Sequence, residues 1–444
     1  MLKPRGRMTI CFMIFLSVII FIGCAEDNPS GPVPPTCRII SPVDGQSVAD
    51  TVMIEIEAED LIQISRVRLY IDGDLVFDDA NEPYEYEWIT RVYPDSSWHK
   101  LWVIATNLDT MSSISDTVNV MVDYSLGTGQ EIILVANQNS STLSLIDVMA
   151  GNEVYRDVIG VGTTPNDMIY SDGDVYVINS QSHDMNVLDL SYSNEMEQTG
   201  LIDIGVSTGS NPWEGAIASN GRMYISNFVT NNVTIVDLET KQAIADIRVG
   251  TAPEGILAVG DYIYVCNTGY NSTDWSYGMG SVSIISIVTN LVDTTITLGE
   301  GKNPQAMALD MQGLVHVVCT GDYAGDDGEI QIINPSTLQI EYLFIGGSPR
   351  DIAITSDGIA YLAAGGWDTD GYVYRYNTVS KQRLNASNDP ILVEKGAWNI
   401  IVGSDNSVYV SCIFGNTVDK IIAGVRQESW LIGDGPSALV SIKR

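Results

Sequence analysis

Basic residues are scarce in this 444-residue chain, where 22 Lys and Arg stand against 56 Asp and Glu for a formal charge of −34 at pH 7. So acidic a body repels phosphate backbones, which excludes nucleic acid as a partner and leaves cationic ligands or Ca²⁺ open. Histidine is scarcer, with only 3 residues. His99, His183 and His316 are scattered over the chain, which excludes a multi-histidine metal centre and predicts surface or core roles for all three. The 6 cysteines contain no Cys-x-x-Cys-His, so covalent haem attachment is excluded. Cys266, Cys319 and Cys412 fall near the ends of equivalent strands in different repeats, too far apart to bridge, and are expected as small buried hydrophobes. "GYNSTDWSYGMGS" carries no glycine-rich phosphate fingerprint followed by a helix. Acid pairs such as Asp389 and Glu394 are too common in this composition to mark a glycosidase.

Apolar runs long enough to span a bilayer are also lacking. The longest, "TICFMIFLSVIIF", follows the basic "MLKPRGRM" and has no charged stop after it, so it reads as a signal peptide. The "FIGCAED" that follows resembles a bacterial lipobox, which implies cleavage behind Gly23 and lipidation of Cys24; an ordinary signal peptide or an uncleaved anchor are the alternatives. Several acyl chains would hold the protein stably to a membrane. Ala25 beside Cys24 implies, by the same resemblance, the outer membrane or cell surface of the envelope. "AEDNPSGPVPP" is a Pro-rich polar tether.

What the chain does have is a repeat. A proline, a short apolar run, a turn pair and a second apolar run recur from Pro165, Pro212, Pro253, Pro304, Pro349, Ala397 and Pro436. The turn pairs Asp172-Gly173, Asn220-Gly221, Gly260-Asp261, Gln312-Gly313, Asp357-Gly358 and Asp405-Asn406 favour tight hairpins. Two further strands follow in most units, as in "NVTIVDL" and "AIADIRVG". A period of roughly 40 to 50 residues with four strands and no helical spacing predicts propeller blades. "EIILVAN" from Glu131 matches a second strand and "SALVSIKR" from Ser437 a first strand, so the two ends of the array are expected to share one blade and leave no open edge.

The segments "ILVANQNSSTLSLIDV", "MYISNFVTNNVTIVDLETKQAIADIRVGTAPEG" and "IYVCN" resemble the YVTN-type β-propeller repeat proteins of bacteria and archaea. Upstream, "IISPVDGQSV", "RLYIDGDLV", "PYEYEW" and "WHKLWVIATN" resemble the Ig-like modules of bacterial surface proteins, and Val67, Leu69 and Ile71 alternate onto one face. The expectation is an all-β chain: a lipoprotein signal peptide over 1–23, a tether over 24–35, an Ig-like β-sandwich over 36–124, a linker over 125–130 and a seven-bladed β-propeller over 131–444. The sandwich reads as a spacer, with a carbohydrate or partner contact as the alternative.

Loops of unequal length point to the functional face. "TGYNSTDWSYGMG", "TGDYAGDDG" and "GGWDTDG" are long second-to-third-strand connections, and they share a face with the entrances to the innermost strands. Tyr270, Trp275, Tyr277, Tyr323 and Trp367 lie in these loops; Asn166, Asp167, Trp213, Glu214, Glu254, Gln305, Arg350, Asp351, Trp398 and Asn399 lie at the entrances. Aromatic rings beside carboxylates and amides make a binding surface, and of these Trp213, Glu214, Tyr270, Trp275, Tyr323, Arg350, Trp367 and Trp398 are the candidate ligand contacts. The alternative is that Trp213 and Trp398 plug the channel while the loop aromatics pack the loops. Asp322, Asp326, Asp327, Glu329, Asp368 and Asp370 could supply Ca²⁺ ligands, but no string fits a calcium loop and Asp-Gly turns are the plainer explanation. The leading function is a membrane-tethered, non-enzymatic binding or scaffold protein for a protein or carbohydrate; the alternative is an exported propeller enzyme, a lyase, a hydrolase or a quinone-type oxidoreductase.

Overall fold

A computed structural model describes residues 33–48, 51–90, 93, 97–122, 131–148, 152–190, 196–205, 208–365 and 370–443. The signal segment, Cys24, the linker over 125–130, Trp367 and Asp368 lie outside the described residues. Among the described residues every regular element is a strand, and no helix is long and apolar enough to cross a membrane.

The N-terminal unit is two sheets. One joins Thr36–Ser41, Thr51–Glu59 and Tyr84–Ile89; the other runs Ser47–Val48, Val118–Val122, Ser97–Asn107, Ile64–Ile71, Asp74–Asp79. Period-2 alternation drives the packing. In Ile64–Ile71 the side chains of Val67, Leu69 and Ile71 are buried while Arg66 and Arg68 face outward with exposed or half-buried surface. His99 is buried in this unit with Nδ1 2.6 Å from Asp72 Oδ2.

Among the described residues from Glu131 on there are seven sheets of four main strands, numbered as blades 1 to 7 below. Blade 1 takes Glu131–Asn137, Thr142–Asp147 and Glu153–Gly160 from the start of the array and its innermost strand, Pro436–Lys443, from the end of the chain. Glu131–Asn137 pairs antiparallel with that strand from Glu131↔Lys443 to Asn137↔Pro436. Blades 2 to 7 begin at Pro165, Pro212, Pro253, Pro304, Pro349 and Ala397. The innermost strands neighbour one another in chain order, and the last, Pro436–Lys443, lies between Ala397–Val402 and Pro165–Ser171, so the ring closes.

The core is divided among the blade junctions. Ile132, Leu134 and Ala136 of blade 1 pack with Met168, Val175 and Val177 of blade 2, whereas Ile133 and Val135 pack with Tyr409 and Val418 of blade 7. Five further apolar clusters fill the junctions between successive blades from 2 to 7. Each blade is therefore apolar on both faces, because each is buried on both. Cys266, Cys319 and Cys412 are buried with free thiols, as their composition predicts. His316 sits in the junction of blades 5 and 6 with no exposed surface, bonded through Nδ1 to Tyr376 OH at 2.7 Å and through Nε2 to Asp310 Oδ2 at 3.1 Å.

Candidate functional site

The entrances to the innermost strands repeat one device. The register of each first hairpin is irregular just after its starting residue, for example between Pro212 and Gly215, Pro253 and Ile256, and Ala397 and Ile400. Such an irregularity releases a main-chain N–H from the ladder. At three junctions the side chain two residues past the start of the preceding blade accepts it, whereas that position is Gly255 in blade 4 and Ala306 in blade 5. Asp167 Oδ2 accepts from Gly215 N–H at 2.9 Å, Asp351 Oδ2 from Ile400 N–H at 2.8 Å, and Asn399 Oδ1 from Leu439 N–H at 2.8 Å. Asp351 Oδ2 also accepts from Asn399 Nδ2 at 2.7 Å. These groups stitch the blades around the channel. Asp167, Glu214 and Asp351 are half-buried here, and burial pushes Asp167 up to about 7 and Asp351 up to about 6. Glu214 is raised well above its ordinary value by burial and by the charges of Asp167, Asp351 and Glu254.

One residue earlier in each entrance stands the mouth of the channel: Asn166, Trp213, Glu254, Gln305, Arg350, Trp398 and Ser437. Asn166 Nδ2 donates to the Trp213 carbonyl at 2.9 Å, and Ser437 Oγ donates to the Pro165 carbonyl at 2.7 Å. Gln305 Oε1 accepts from Thr320 Oγ1 at 3.0 Å and from Tyr323 OH at 3.2 Å. Arg350 places its guanidinium 3.3 Å from the centre of the Trp398 ring and donates from Nη1 to Tyr323 OH at 3.3 Å.

Above this floor the rings form a continuous arc. Trp213 meets Phe228 at 5.4 Å between centroids, Phe228 meets Tyr270 at 5.7 Å, Tyr270 meets Tyr277 at 5.3 Å, and Tyr277 meets Tyr323 edge-on at 6.0 Å. Separations and tilts of this kind are the favourable ones for aromatic pairs. Tyr270–Asn271 and Ser276–Tyr277 pair as a small hairpin within the long loop of blade 4, which sets those two tyrosines side by side. The arc ends at Arg350 and Trp398. Between Trp398 and Trp213 a cavity of about 330 Å³ completes the circuit, lined by Gln138, Asn139, Asn166, Gln181, Asn211 and Phe414 among others.

The site thus gathers Trp213, Tyr270, Tyr323, Arg350 and Trp398 of the candidate contacts. Glu214 lies beneath them in the blade-to-blade bonding. Trp275 stands apart at the tip of the hairpin, 78% exposed, its main-chain N–H donating to the Asn271 carbonyl at 2.9 Å. Phe228, Phe414 and the amides of Gln138, Asn139, Gln181 and Asn211 were not singled out by their sequence. The carboxylates of the calcium expectation are spread over turns: Asp322 accepts from Ala324 N–H at 3.0 Å and pairs with Lys302 at 3.6 Å, Asp326 accepts from Gly347 N–H, and Glu329 accepts from Gln331 Nε2 at 2.5 Å. Among the described residues no three acidic, histidine or cysteine side chains gather as a metal-ligating group. His183 Nδ1 accepts from Asn211 N–H at 3.0 Å.

Residues 35–120 match the bacterial Ig domain family. Comparison with curated proteins finds no match. Among solved structures, the periplasmic gluconolactonase of Pseudomonas aeruginosa is similar with a TM-score of 0.54 at 10% identity, over 70% of this chain and 99% of that one. A functionally unknown protein from Desulfotomaculum acetoxidans gives 0.54 at 12% identity, over 70% of this chain and 98% of that one. The hydrazine synthase of Kuenenia stuttgartiensis gives 0.52 at 15% identity, over 63% and 95%. At these identities the likeness is one of fold, a β-propeller following the bacterial Ig domain.

Proposed function

We propose that this chain is an exported, lipid-anchored binding protein that takes a sugar ring or short glycan at the mouth of its propeller. The observation that carries the reading is the arc of rings from Trp213 through Phe228, Tyr270, Tyr277 and Tyr323 to Trp398, closed by an amide-lined cavity. Ring faces stack on the C–H faces of a pyranose, while amides and Arg350 meet its hydroxyls. Export is supported by the basic and apolar leader and by the bacterial Ig domain; anchoring rests on Cys24 in "FIGCAED". The Ig domain serves as the spacer between anchor and propeller.

The test is binding of the unlipidated chain, from residue 25 onward, to immobilised glycans, followed by calorimetry on the best of them. Saturable binding lost in Trp213→Ala is the expected result; no binding to any glycan overturns the reading. A second reading, an exported lyase or hydrolase, draws on two neighbouring carboxyls, Glu214 and Glu254, that are both raised by burial, as a general acid requires. Turnover of the bound glycan distinguishes the two.

A further inference from the structure

The cavity between Trp398 and Trp213 has a neutral wall. In a chain of formal charge −34, none of the residues that line it is Asp, Glu, Lys, Arg or His. Arg350 lies on the Trp398 ring but is not one of them. A charged group would lose its water in such a cavity and gain no counter-charge, so the wall selects a neutral one. At about 330 Å³ the space is near the small end of ligand pockets, roughly 300 to 1,000 Å³, which suits one ring and its substituents.

Two amides of this wall have nothing to bond. Gln138 stands one residue past the second strand of blade 1, and Asn211 one residue before the innermost strand of blade 3. Among the described residues neither side-chain amide has a hydrogen-bond partner, and the oxygens Gln138 Oε1 and Asn211 Oδ1 are buried. Other polar groups of the wall are engaged: Asn139 Nδ2 donates to Asp434 Oδ1 at 3.3 Å, Asn166 Nδ2 to the Trp213 carbonyl at 2.9 Å and Ser180 Oγ to the Pro212 carbonyl at 2.6 Å. Unpartnered amide oxygens also occur at Asn137, Asn179, Asn227 and Asn267, but there each Nδ2 is bonded to a side chain of its own blade and none lines the cavity. Asn303, whose amide is also unpartnered, is not part of the wall either. The main chain anchors both free amides. Gln138 N–H donates to the Gly435 carbonyl at 2.7 Å, and the Asn211 carbonyl accepts from Phe228 N–H at 3.0 Å. A buried amide without a partner is costly to keep, and a missing ligand is the physical explanation for a pair of them on one cavity wall.

Each amide offers both an acceptor and a donor, so the complementary group is neutral and carries both. A secondary amide does, with its N–H and C=O on opposite sides of one plane. Ile413, which is 6% exposed, and Phe414 add wall that bonds no hydroxyl and gains by covering a methyl group. We infer that this cavity receives the acetamido group of an N-acetylated amino sugar, its N–H and C=O bonded to Gln138 and Asn211 and its methyl against Ile413 and Phe414. The inference rests on the glycan reading above and narrows it from sugars in general to N-acetylhexosamines. Trp213 belongs both to this wall and to the arc of rings, so a glycan held by its acetamido group continues along the arc.

The experiment is calorimetry of the unlipidated chain, from residue 25 onward, with three β-1,4-linked trimers: N-acetylglucosamine, glucosamine and glucose. The expected result is a preference of about ten- to hundredfold for the acetylated trimer over the other two, the scale of two added hydrogen bonds. Gln138→Met keeps the length of the side chain, and Asn211→Gly suits the positive φ of 53° at that position. Neither change removes a side-chain hydrogen bond within the chain, so both variants are expected to melt with the wild type. Each is expected to cut the preference at least threefold while leaving the glucose trimer within twofold of its wild-type affinity. Equal binding of the three trimers by the wild type overturns the acetamido site and leaves the glycan reading standing. A preference that both variants keep in full also overturns the site. If no trimer binds, the glycan reading and the inference fall together.

Discussion

The Glu131 carboxylate accepts a hydrogen bond from Ser441 Oγ at 2.5 Å across 310 residues of sequence. The same carboxylate accepts from Ser404 N–H at 2.6 Å and from Ser404 Oγ at 3.1 Å. Glu131 thus ties the first strand of the array, the last strand of the chain and the innermost hairpin of blade 7 into one knot. It lies where the start of the array meets its last strand, so the ring is closed there by non-covalent pairing alone.

Closure predicts a stability effect. Glu131→Ala removes three hydrogen bonds at the seam, from Ser404 N–H, Ser404 Oγ and Ser441 Oγ, each contributing about 0.5 to 1.5 kcal/mol net. Deleting residues 436–444 is expected to cost more, because Ala438, Leu439 and Ile442 are buried and each large aliphatic side chain contributes roughly 1.5 to 3 kcal/mol on burial. Thermal melts of both variants check this; a truncated chain that melts with the wild type means that the seam contributes nothing.

Anchoring predicts a partition. On the proposed lipidation of Cys24, Cys24→Ser is expected in the aqueous phase of a detergent phase separation while the wild type enters the detergent. Equal partitioning of the two chains excludes lipid attachment at Cys24.

Much of the architecture was readable before any coordinates. The starting residues Pro165 to Pro436 mark the innermost strands, and Asp172-Gly173 and its counterparts mark the hairpins between first and second strands, because a bend and a positive φ each restrict which residues serve. The mouth was readable only in part. Trp213, Arg350 and Trp398 sit at the entrances and Tyr270 and Tyr323 in long loops, so loop length and repeat register find them. Phe228 and Phe414 sit in short connections that length does not flag. Gln138 and Asn139 reach the cavity only because the ends of the array close on each other, a contact no local pattern encodes. All four residues fall one or two places after the end of a second strand, at Asn137, Asn227 or Cys412, and that shared offset is the signal that would have found them.

Trp275, which loop length favours as a contact, and Trp213, at an innermost-strand entrance, have different surroundings. Trp213 is half-buried against Phe228 and lines the cavity, whereas Trp275 is exposed at a hairpin tip. Trp213→Ala is expected to weaken glycan binding at least tenfold, the size of a hot-spot truncation of about 1.4 kcal/mol or more. Trp275→Ala is expected to change affinity less than twofold and to leave the melting temperature unmoved. Calorimetry on both variants checks this, and a larger loss for Trp275→Ala moves the contact surface outward to the loop tip.

Buried carboxyls make stability depend on pH in a direction opposite to that of most surface acids. Burial raises Glu254 from 4.5 to about 7, against a lowering by Arg350, and raises Asp167 from 3.8 to about 7. A raised carboxyl keeps its proton in the fold after the unfolded chain has lost it. Its contribution is therefore fully present below the unfolded value and is lost as pH rises through about 7. His316 works against the trend, since burial lowers it and it favours the unfolded chain as pH falls below 6.5. Substituting Glu254 separates the two. Glu254→Gln removes a group whose ionisation opposes folding by at most about 3 kcal/mol at pH 8, so the variant is expected to melt above the wild type at pH 8 and beside it at pH 5. Melting curves of both proteins at the two pH values decide the matter, and a variant no more stable than the wild type at pH 8 means that Glu254 ionises freely in the mouth.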